Sequence, residues 1–321
     1  MNVLDLIHGA QNSGRTRFAF ELLPPLKGDG KESVFRAIDP LMEFDPAYIN
    51  ITCHREGIKQ TLRPDGTPEW HAVRRRPGTV GISAAIRDRY KVEVVPHLIC
   101  GGQSRYDIED ALIDLDFLGL NNVLALRGDP SQNEKQFIPH PQGHAHALGL
   151  VQQIAAMNRG EFVDGEVEQC HHSRFSIGVA GYPETHSEAL SPEADIAALK
   201  AKVDAGAEYV VTQLCYDTHI FFDYVRRCRE AGITVPIIPG IKPLSSVKHL
   251  ELLPRTFGCF LPEELVREVR AHADNPHSVR QIGTEWAIRQ SRELKTAGIP
   301  VLHYYPMGKA DNIIQIAKEL F

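Results

Sequence analysis

No stretch of this sequence approaches the roughly 20 apolar residues that a membrane-spanning helix needs. Met1 to Arg17 contains no apolar leader core, so no secretory signal is expected. Basic residues form no stripe and the formal net charge is −6, which argues against a nucleic-acid surface. The six cysteines, Cys53, Cys100, Cys170, Cys215, Cys228 and Cys259, are scattered. A chain this long needs no disulfide framework, so they read as reduced thiols of a cytoplasmic protein. Paired C-x-x-C spacing is missing, and neither the histidines 140, 144 and 146 nor Cys170-His171-His172 match a standard zinc pattern; no metal is expected. Absence of G-x-G-x-x-G argues against a Rossmann-type nicotinamide site, and neither a P-loop nor a G-x-S-x-G elbow is present.

What is present is globular composition, 43% apolar over 321 residues, and a regular alternation. Short β-rich runs fall at Arg17 to Leu23, Ala47 to Cys53, Val92 to Ile99, Asn122 to Leu126, Ser176 to Ala180, Tyr209 to Leu214, Val235 to Ile238 and Val301 to Tyr305. Several stop at proline or glycine, as Pro24-Pro25, Gly128, Pro183 and Pro239-Gly240 do, because proline cannot sit within a ladder. Helical periodicity lies between them, near Lys31 to Ile38, Ile108 to Leu118, Asp195 to Ala205, Thr218 to Ala231 and Val279 to Ala297. Ser191-Pro192-Glu193 supplies a cap, a first-turn proline and a first-turn acid for the third of these. Irregular stretches at Ser131 to Ala147 and Asn158 to Arg174 interrupt the pattern, and added helix is expected within Pro254 to His277. Repeated strand–helix units imply right-handed crossovers and a parallel sheet. Eight strands favour a closed (β/α)8 TIM barrel with extra helices, formed as one domain over residues 1–321; a doubly wound open sheet is the alternative.

Such a barrel carries its active site at the C-terminal strand ends. Polar residues recur there: Glu21, Thr52 with His54, His97, Arg127 with Asp129, Tyr182 with Glu184 and His186, Gln213 with Asp217, Lys242, and Tyr304 with Lys309. Glu21 sits between Phe20 and Leu22, so burial should raise its pKa and suit it to general acid work; the bland alternative is a carboxylate held by a structural Arg or Lys. Asp129 is either a ligand-facing acid beside Gly128 or a turn residue before Pro130. Gln213 offers both a donor and an acceptor to a heterocycle edge, or is a satisfied core amide. His97 is a ligand contact or a core histidine. Lys202 reaches a pyrophosphate or covers a solvated helix face, and Asp195 serves ribose hydroxyls or a cap.

These strand ends resemble one family. Phe18-Ala19-Phe20-Glu21-Leu22-Leu23-Pro24-Pro25, Pro96-His97-Leu98-Ile99-Cys100, Ala125-Leu126-Arg127-Gly128-Asp129 and Tyr182-Pro183-Glu184-Thr185-His186-Ser187-Glu188-Ala189 are similar to segments of methylenetetrahydrofolate reductases. So are Lys202-Val203-Asp204-Ala205-Gly206-Ala207, Thr212-Gln213 with Asp217, Ile238-Pro239-Gly240-Ile241 and His303-Tyr304-Tyr305, in order and at fitting spacing. The resemblance implies a cytoplasmic flavoenzyme that passes hydride from NADH or NADPH through non-covalent FAD to methylenetetrahydrofolate, by ping-pong kinetics and as a homo-oligomer. It implies Glu21 as general acid and Asp129 as a carboxylate near flavin and folate. Thr52, His97, Arg127, Gly128, Asp129, Ala147, Tyr182, His186, Ala189, Asp195 and Lys202 would form the FAD shell, with Gln213 and Lys309 on the folate. Two other readings stay open: a folate- or pterin-binding subunit without catalysis, and a proline-dehydrogenase-like flavoenzyme.

Overall fold

A computed structural model describes residues 2–131, 134–167, 171–306 and 310–321. In chain order its elements are α1 (Val3–Ser13), β1 (Arg17–Leu22), α2 (Lys31–Ile38), a 3-10 turn (Asp39–Phe44) and β2 (Tyr48–Ile51). Next come β3 (Gly57–Leu62), β4 (Pro68–Val73), α3 (Thr79–Tyr90), β5 (Glu93–Ile99), α4 (Arg105–Phe117) and β6 (Asn122–Leu126). There follow α5 (Ala147–Asn158), β7 (Glu161–Phe162), β8 (Gly165–Glu166), β9 (Ser176–Gly181), α6 (Pro192–Asp204) and β10 (Tyr209–Leu214). The chain ends with α7 (Thr218–Glu230), β11 (Ile237–Ile241), α8 (His249–Phe257), α9 (Glu263–Ala271), α10 (Pro276–Thr296), β12 (Val301–Tyr304) and α11 (Asp311–Leu320).

Eight of these strands close into a parallel barrel in the order β1-β12-β11-β10-β9-β6-β5-β2. The expected (β/α)8 barrel with extra helices is therefore the fold, and the open sheet is excluded by the β1–β12 pairing, in which Arg17 to Phe20 lie beside Val301 to Tyr304. Strand alternation divides the apolar residues into two sets. Phe18, Phe20 and Leu22 of β1 face outward onto α2 and its neighbours, in a shell that also holds Val34, Ile38, Ile86 and Leu112. Ala19 faces inward with Tyr48, Val95, Leu124, Tyr209, Val211, Ile238 and Val301.

The inner set is closed from below by α1. Val3, Ile7 and Ala10 recur at helical spacing and are buried, and Val3 and Ile7 join the inner cluster. The Val3 amide donates to Asn122 Oδ1 at 2.8 Å, which ties the helix to the first residue of β6. Asn2 and Asp5 form a reciprocal capping box that starts the helix.

Several elements are additions to the sequence reading. The helices α1, α3, α5 and α11 carry ordinary amphipathic spacing, and β3 and β4 form an antiparallel hairpin about Asp65-Gly66, a recognisable turn pair. The segment expected to add helix between the last two barrel strands holds the C-terminal part of α8, all of α9 and the start of α10. Asn158 to Arg174 contains the two-residue strands β7 and β8, paired with each other. Cys170 lies outside the described residues.

Candidate active site

The barrel's C-terminal mouth holds those of the expected strand-end residues that are described. Glu21 projects inward beside Asn50 of β2. Its side chain keeps 22% of its surface open, but the carboxyl lies deep in the barrel and burial pushes its pKa up to about 8. No Arg or Lys lies within ion-pair distance among the described residues, so Glu21 is not held by a structural cation. The nearest charged-type partner is His97 Nε2 at 3.8 Å. His97 is itself 4% exposed, and burial, then His303 and His54, lower its pKa to about 3, leaving it neutral. His97 Nε2 sits 3.1 Å from Asn50 Nδ2. An acid among neutral groups keeps its proton at neutral pH, which is the state a proton donor requires.

Asn50 and His303 were not singled out from the sequence. Alternation along β2 and β12 could have shown that both point inward with Tyr48, since the inward positions of a barrel strand recur every second residue. His303 stacks near Tyr48, with ring centroids 6.2 Å apart, and burial lowers its pKa to about 3. Asn50 Oδ1, Tyr48 Oη, Tyr209 Oη and both ring nitrogens of His303 have no protein hydrogen-bond partner among the described residues. The interior beneath Glu21 is thus polar but uncharged.

A second group lines the side formed by β6, β9 and α6. Lys202 is half-buried, and its ammonium turns inward to donate to the Ala180 carbonyl at 2.8 Å. Burial lowers its pKa to about 8, with Asp195 opposing the shift. It does not cover a solvated face. Asp195, in the first turn of α6, accepts from the His186 amide at 2.9 Å and so fixes the loop after β9. Thr185 in that loop has φ +72°, a left-handed conformation costly for a β-branched residue and typical of functional loops. Tyr182 and His186 meet edge to face at 4.7 Å, and the Ala189 amide closes the turn onto the His186 carbonyl at 2.9 Å.

Arg127 pairs with Glu188, one nitrogen lying 2.9 Å from Oε1, and its guanidinium stands 4.9 Å from the Phe137 ring centroid. Glu188 belongs to the motif after β9, yet only the fold reveals it as the partner of Arg127. Gly128 adopts φ +83°, and a Cβ there would lie 3.2 Å from Ile99 Cβ, so the turn before Asp129 requires glycine. The charge of Asp129 acts on Arg127, Tyr182 and His54, which places it among them. Thr52 follows β2, with its hydroxyl 3.0 Å from His54 Nε2. Ala147 opens α5.

On the opposite side, Gln213 is the last residue but one of β10, and its Oε1 accepts from the Leu214 amide at 2.9 Å. Tyr305 Oη donates to the Thr212 carbonyl at 2.8 Å and braces the same strand. Lys309 lies outside the described residues. Among the described residues no group of three His, Cys, Asp or Glu could hold a metal, and no helix is long and apolar enough to cross a membrane.

The mouth therefore offers an uncharged acid in the middle and cations along one wall. Lys202 has no carboxylate within ion-pair distance among the described residues, and it lies in the helix that starts beside the β9 loop. Such a donor set suits the diphosphate of a dinucleotide cofactor, because an ammonium and a helix start both favour oxyanions.

A family model described as methylenetetrahydrofolate reductase matches residues 6–321. A methylenetetrahydrofolate reductase (NADH) of Zea mays is 34% identical over 329 residues, covering 100% of this chain and 51% of the relative. A 5,10-methylenetetrahydrofolate reductase of Pectobacterium carotovorum is 27% identical, covering 94% of this chain and 89% of that protein. The chain spans about half the length of the plant relatives it matches. Among solved structures, an uncharacterized Clostridium thermocellum protein that binds two copies of 5-methyl-5,6,7,8-tetrahydrofolic acid shares the fold, with a TM-score of 0.58 at 14% identity over 98% of each chain.

Proposed function

Because the chain belongs to the methylenetetrahydrofolate reductase family, we propose that it reduces 5,10-methylenetetrahydrofolate to 5-methyltetrahydrofolate at the barrel mouth. FAD bound there would supply the hydride relay, accepting from NADH or NADPH and passing to the folate in alternate, ping-pong steps. Lys202 and the loop fixed by Asp195 would hold its diphosphate, while Thr52, His97, Arg127, Gly128, Tyr182, His186, Ala189 and the start of α5 at Ala147 would shape the rest of its cradle.

The protein's own chemistry centres on Glu21. Its protonated carboxyl donates to the folate N10, the five-membered ring opens, and the cation left at N5 and its methylene accepts hydride. Asp129 favours that cation through its negative charge. Gln213 takes the pterin edge through the amide donor that its backbone contact leaves available. Burial, with no cation beside it, keeps Glu21 from ionising before the substrate arrives. The observation that carries this reading is the isolated acid at the end of β1, with its pKa pushed up to about 8. A folate-binding subunit has no use for such a group.

The test is anaerobic stopped-flow of the purified protein, following oxidised-flavin absorbance at about 450 nm. Bleaching by NADH or NADPH, followed by recovery on adding methylenetetrahydrofolate, is the expected result and identifies the donor. A flavin that bleaches and never recovers with the folate removes the proposed substrate.

A further inference from the structure

The loop after β9 carries three residues of the proposed flavin cradle, Tyr182, His186 and Ala189, and it is strained, since Thr185 holds φ +72°. Such a turn persists only where its surroundings over-determine it. Three contacts, two residues apart along the loop, do so here. Glu188 pairs with Arg127, which follows β6. The His186 amide donates to Asp195 of α6 at 2.9 Å. The third is Glu184, to which the proposed reaction gives no task. Its Oε1 accepts from the Phe260 amide at 2.8 Å, across 76 residues of chain.

The two ends of that bond differ in how they are held. Phe260 lies between α8 and α9. Its chain neighbours Cys259 and Leu261 are both buried, in an apolar cluster with Tyr216 after β10, Leu253 of α8, Leu265 of α9 and Ile282 of α10. From α10, Trp286 Nε1 donates to the Tyr216 carbonyl at 3.0 Å and Gln290 Nε2 to the Cys215 carbonyl at 2.6 Å, which fastens this cluster to the end of β10. The Phe260 amide is thus fixed from both sides. Glu184 stands on the strained turn itself, next to Thr185.

Charge pairing does not explain Glu184. Among the described residues no Lys, Arg or His lies within ion-pair distance of it, and the Phe260 amide is its side chain's one hydrogen-bond partner. Burial pushes its pKa up to about 7; the Phe260 amide opposes the rise and the charge of Asp217 adds to it. A half-buried carboxylate without a cation is costly, and what it gains here is an anchor on a fixed amide.

We propose that Glu184 is a positioning residue for the cofactor: by holding the Phe260 amide it ties the loop of Tyr182 and His186 to the helical body of α8, α9 and α10, and so tightens the cradle around FAD. The choice of FAD as the ligand rests on the proposed function.

Equilibrium dialysis of the purified protein against FAD measures the effect. Glu184→Ala is expected to weaken FAD about five- to twentyfold, a part of what one charge-assisted bond is worth. Glu184→Gln keeps an acceptor oxygen in place and should hold FAD within about threefold of wild type. Phe260→Pro removes the donor instead; where it folds it should match Glu184→Ala, and the double variant should be no weaker than either. In excess FAD, Glu184→Ala should recover the wild-type rate of flavin reduction by NADH or NADPH, because only affinity is altered. Wild-type affinity in Glu184→Ala, a Glu184→Gln as weak as Glu184→Ala, losses that add in the double variant, or a rate that excess FAD does not restore would each overturn the proposal. A wild type that takes up no FAD removes both the cofactor of the proposed function and this role. A wild type that holds FAD more tightly than Glu184→Ala yet never passes hydride to the folate sinks the proposed function alone.

Discussion

The two ends of the barrel are closed by opposite means. The floor is a helix: α1 brings Val3 and Ile7 into the inner cluster and is pinned by one amide to Asn122. The contacts named there are made by apolar side chains and one amide. At the mouth, Glu21, Lys202 and Lys242 all sit away from their ordinary protonation behaviour, each chiefly because of burial. Burial at the floor is favourable, at about 1.5–3 kcal/mol for each large apolar side chain. Burial at the mouth is unfavourable for every charge it touches, and on the proposed function bound ligands would complete the site. Stability and chemistry thus occupy opposite ends of one set of strands, as the barrel's general anatomy leads one to expect.

The largest expected effect that would sharpen this contrast is on chemistry. On the proposed role, Glu21→Gln lowers the rate of folate reduction by about 10²–10⁴-fold, the usual worth of a positioned acid, and leaves nicotinamide-to-flavin transfer nearly intact. In the wild type the active form is the protonated acid. Its pKa is about 8, so folate reduction should hold below that pH and fall as pH rises through it. Single-turnover rates across pH for each half-reaction check both points. A variant that reduces folate at the wild-type rate would remove Glu21 as the acid.

Next in size is a pure stability effect at the other end. Ile7 is fully buried in the inner cluster. Ile7→Ala removes that packing and should cost about 2–5 kcal/mol in urea unfolding. Turnover per folded molecule should not change. A drop in kcat without a drop in stability would show that the floor takes part in the chemistry and would break the division.

How much of this was legible beforehand follows the same division. The barrel was readable because its parallel strands are buried on both faces and appear as short apolar runs; the stop expected at Pro239-Gly240 was misplaced, since both residues lie within β11. Glu21 stood out because a carboxyl inside such a run is costly unless it is paired with a cation or used in chemistry. The floor was missed although Val3, Ile7 and Ala10 recur at helical spacing, since a repeat of that kind does not say what it will cover. Asn50 and His303 were missed because their role depends on which strands become neighbours. The Arg127–Glu188 pair joins residues 61 apart, and no local pattern reports it.

A smaller effect concerns stability at the mouth. Burial raises the Glu21 pKa from 4.5 to about 8. Between those values the folded chain keeps a proton that the unfolded chain releases, so stability is greatest below about pH 4.5 and declines until pH passes about 8. At pH 7 most of that penalty is present. Glu21→Gln removes the ionisable group and should raise stability by up to roughly 3 kcal/mol at pH 7, with little gain near pH 4. Thermal unfolding of the variant and the wild type at the two pH values measures it. A destabilised variant at pH 7 would mean that the carboxyl has partners that hold its charged form.

The smallest effect probes how the floor helix begins. Asn2 Oδ1 accepts from the Asp5 amide at 2.8 Å, and Asp5 Oδ2 accepts from the Asn2 amide at 3.2 Å. Both groups are exposed, so the box is worth only the satisfaction of two amides at the helix start. Asn2→Ala should cost about 1 kcal/mol, and Asn2→Ser should recover most of it because serine caps nearly as well. In the Ile7→Ala background the same change should cost less, since a cap stabilises the fold only insofar as α1 is docked; residues of one helix couple rather than add. A double-mutant cycle by urea unfolding reads that coupling. Full additivity would mean that the cap acts on α1 independently of its docking, and that the floor is held chiefly by the Asn122 contact rather than by the packing of Ile7.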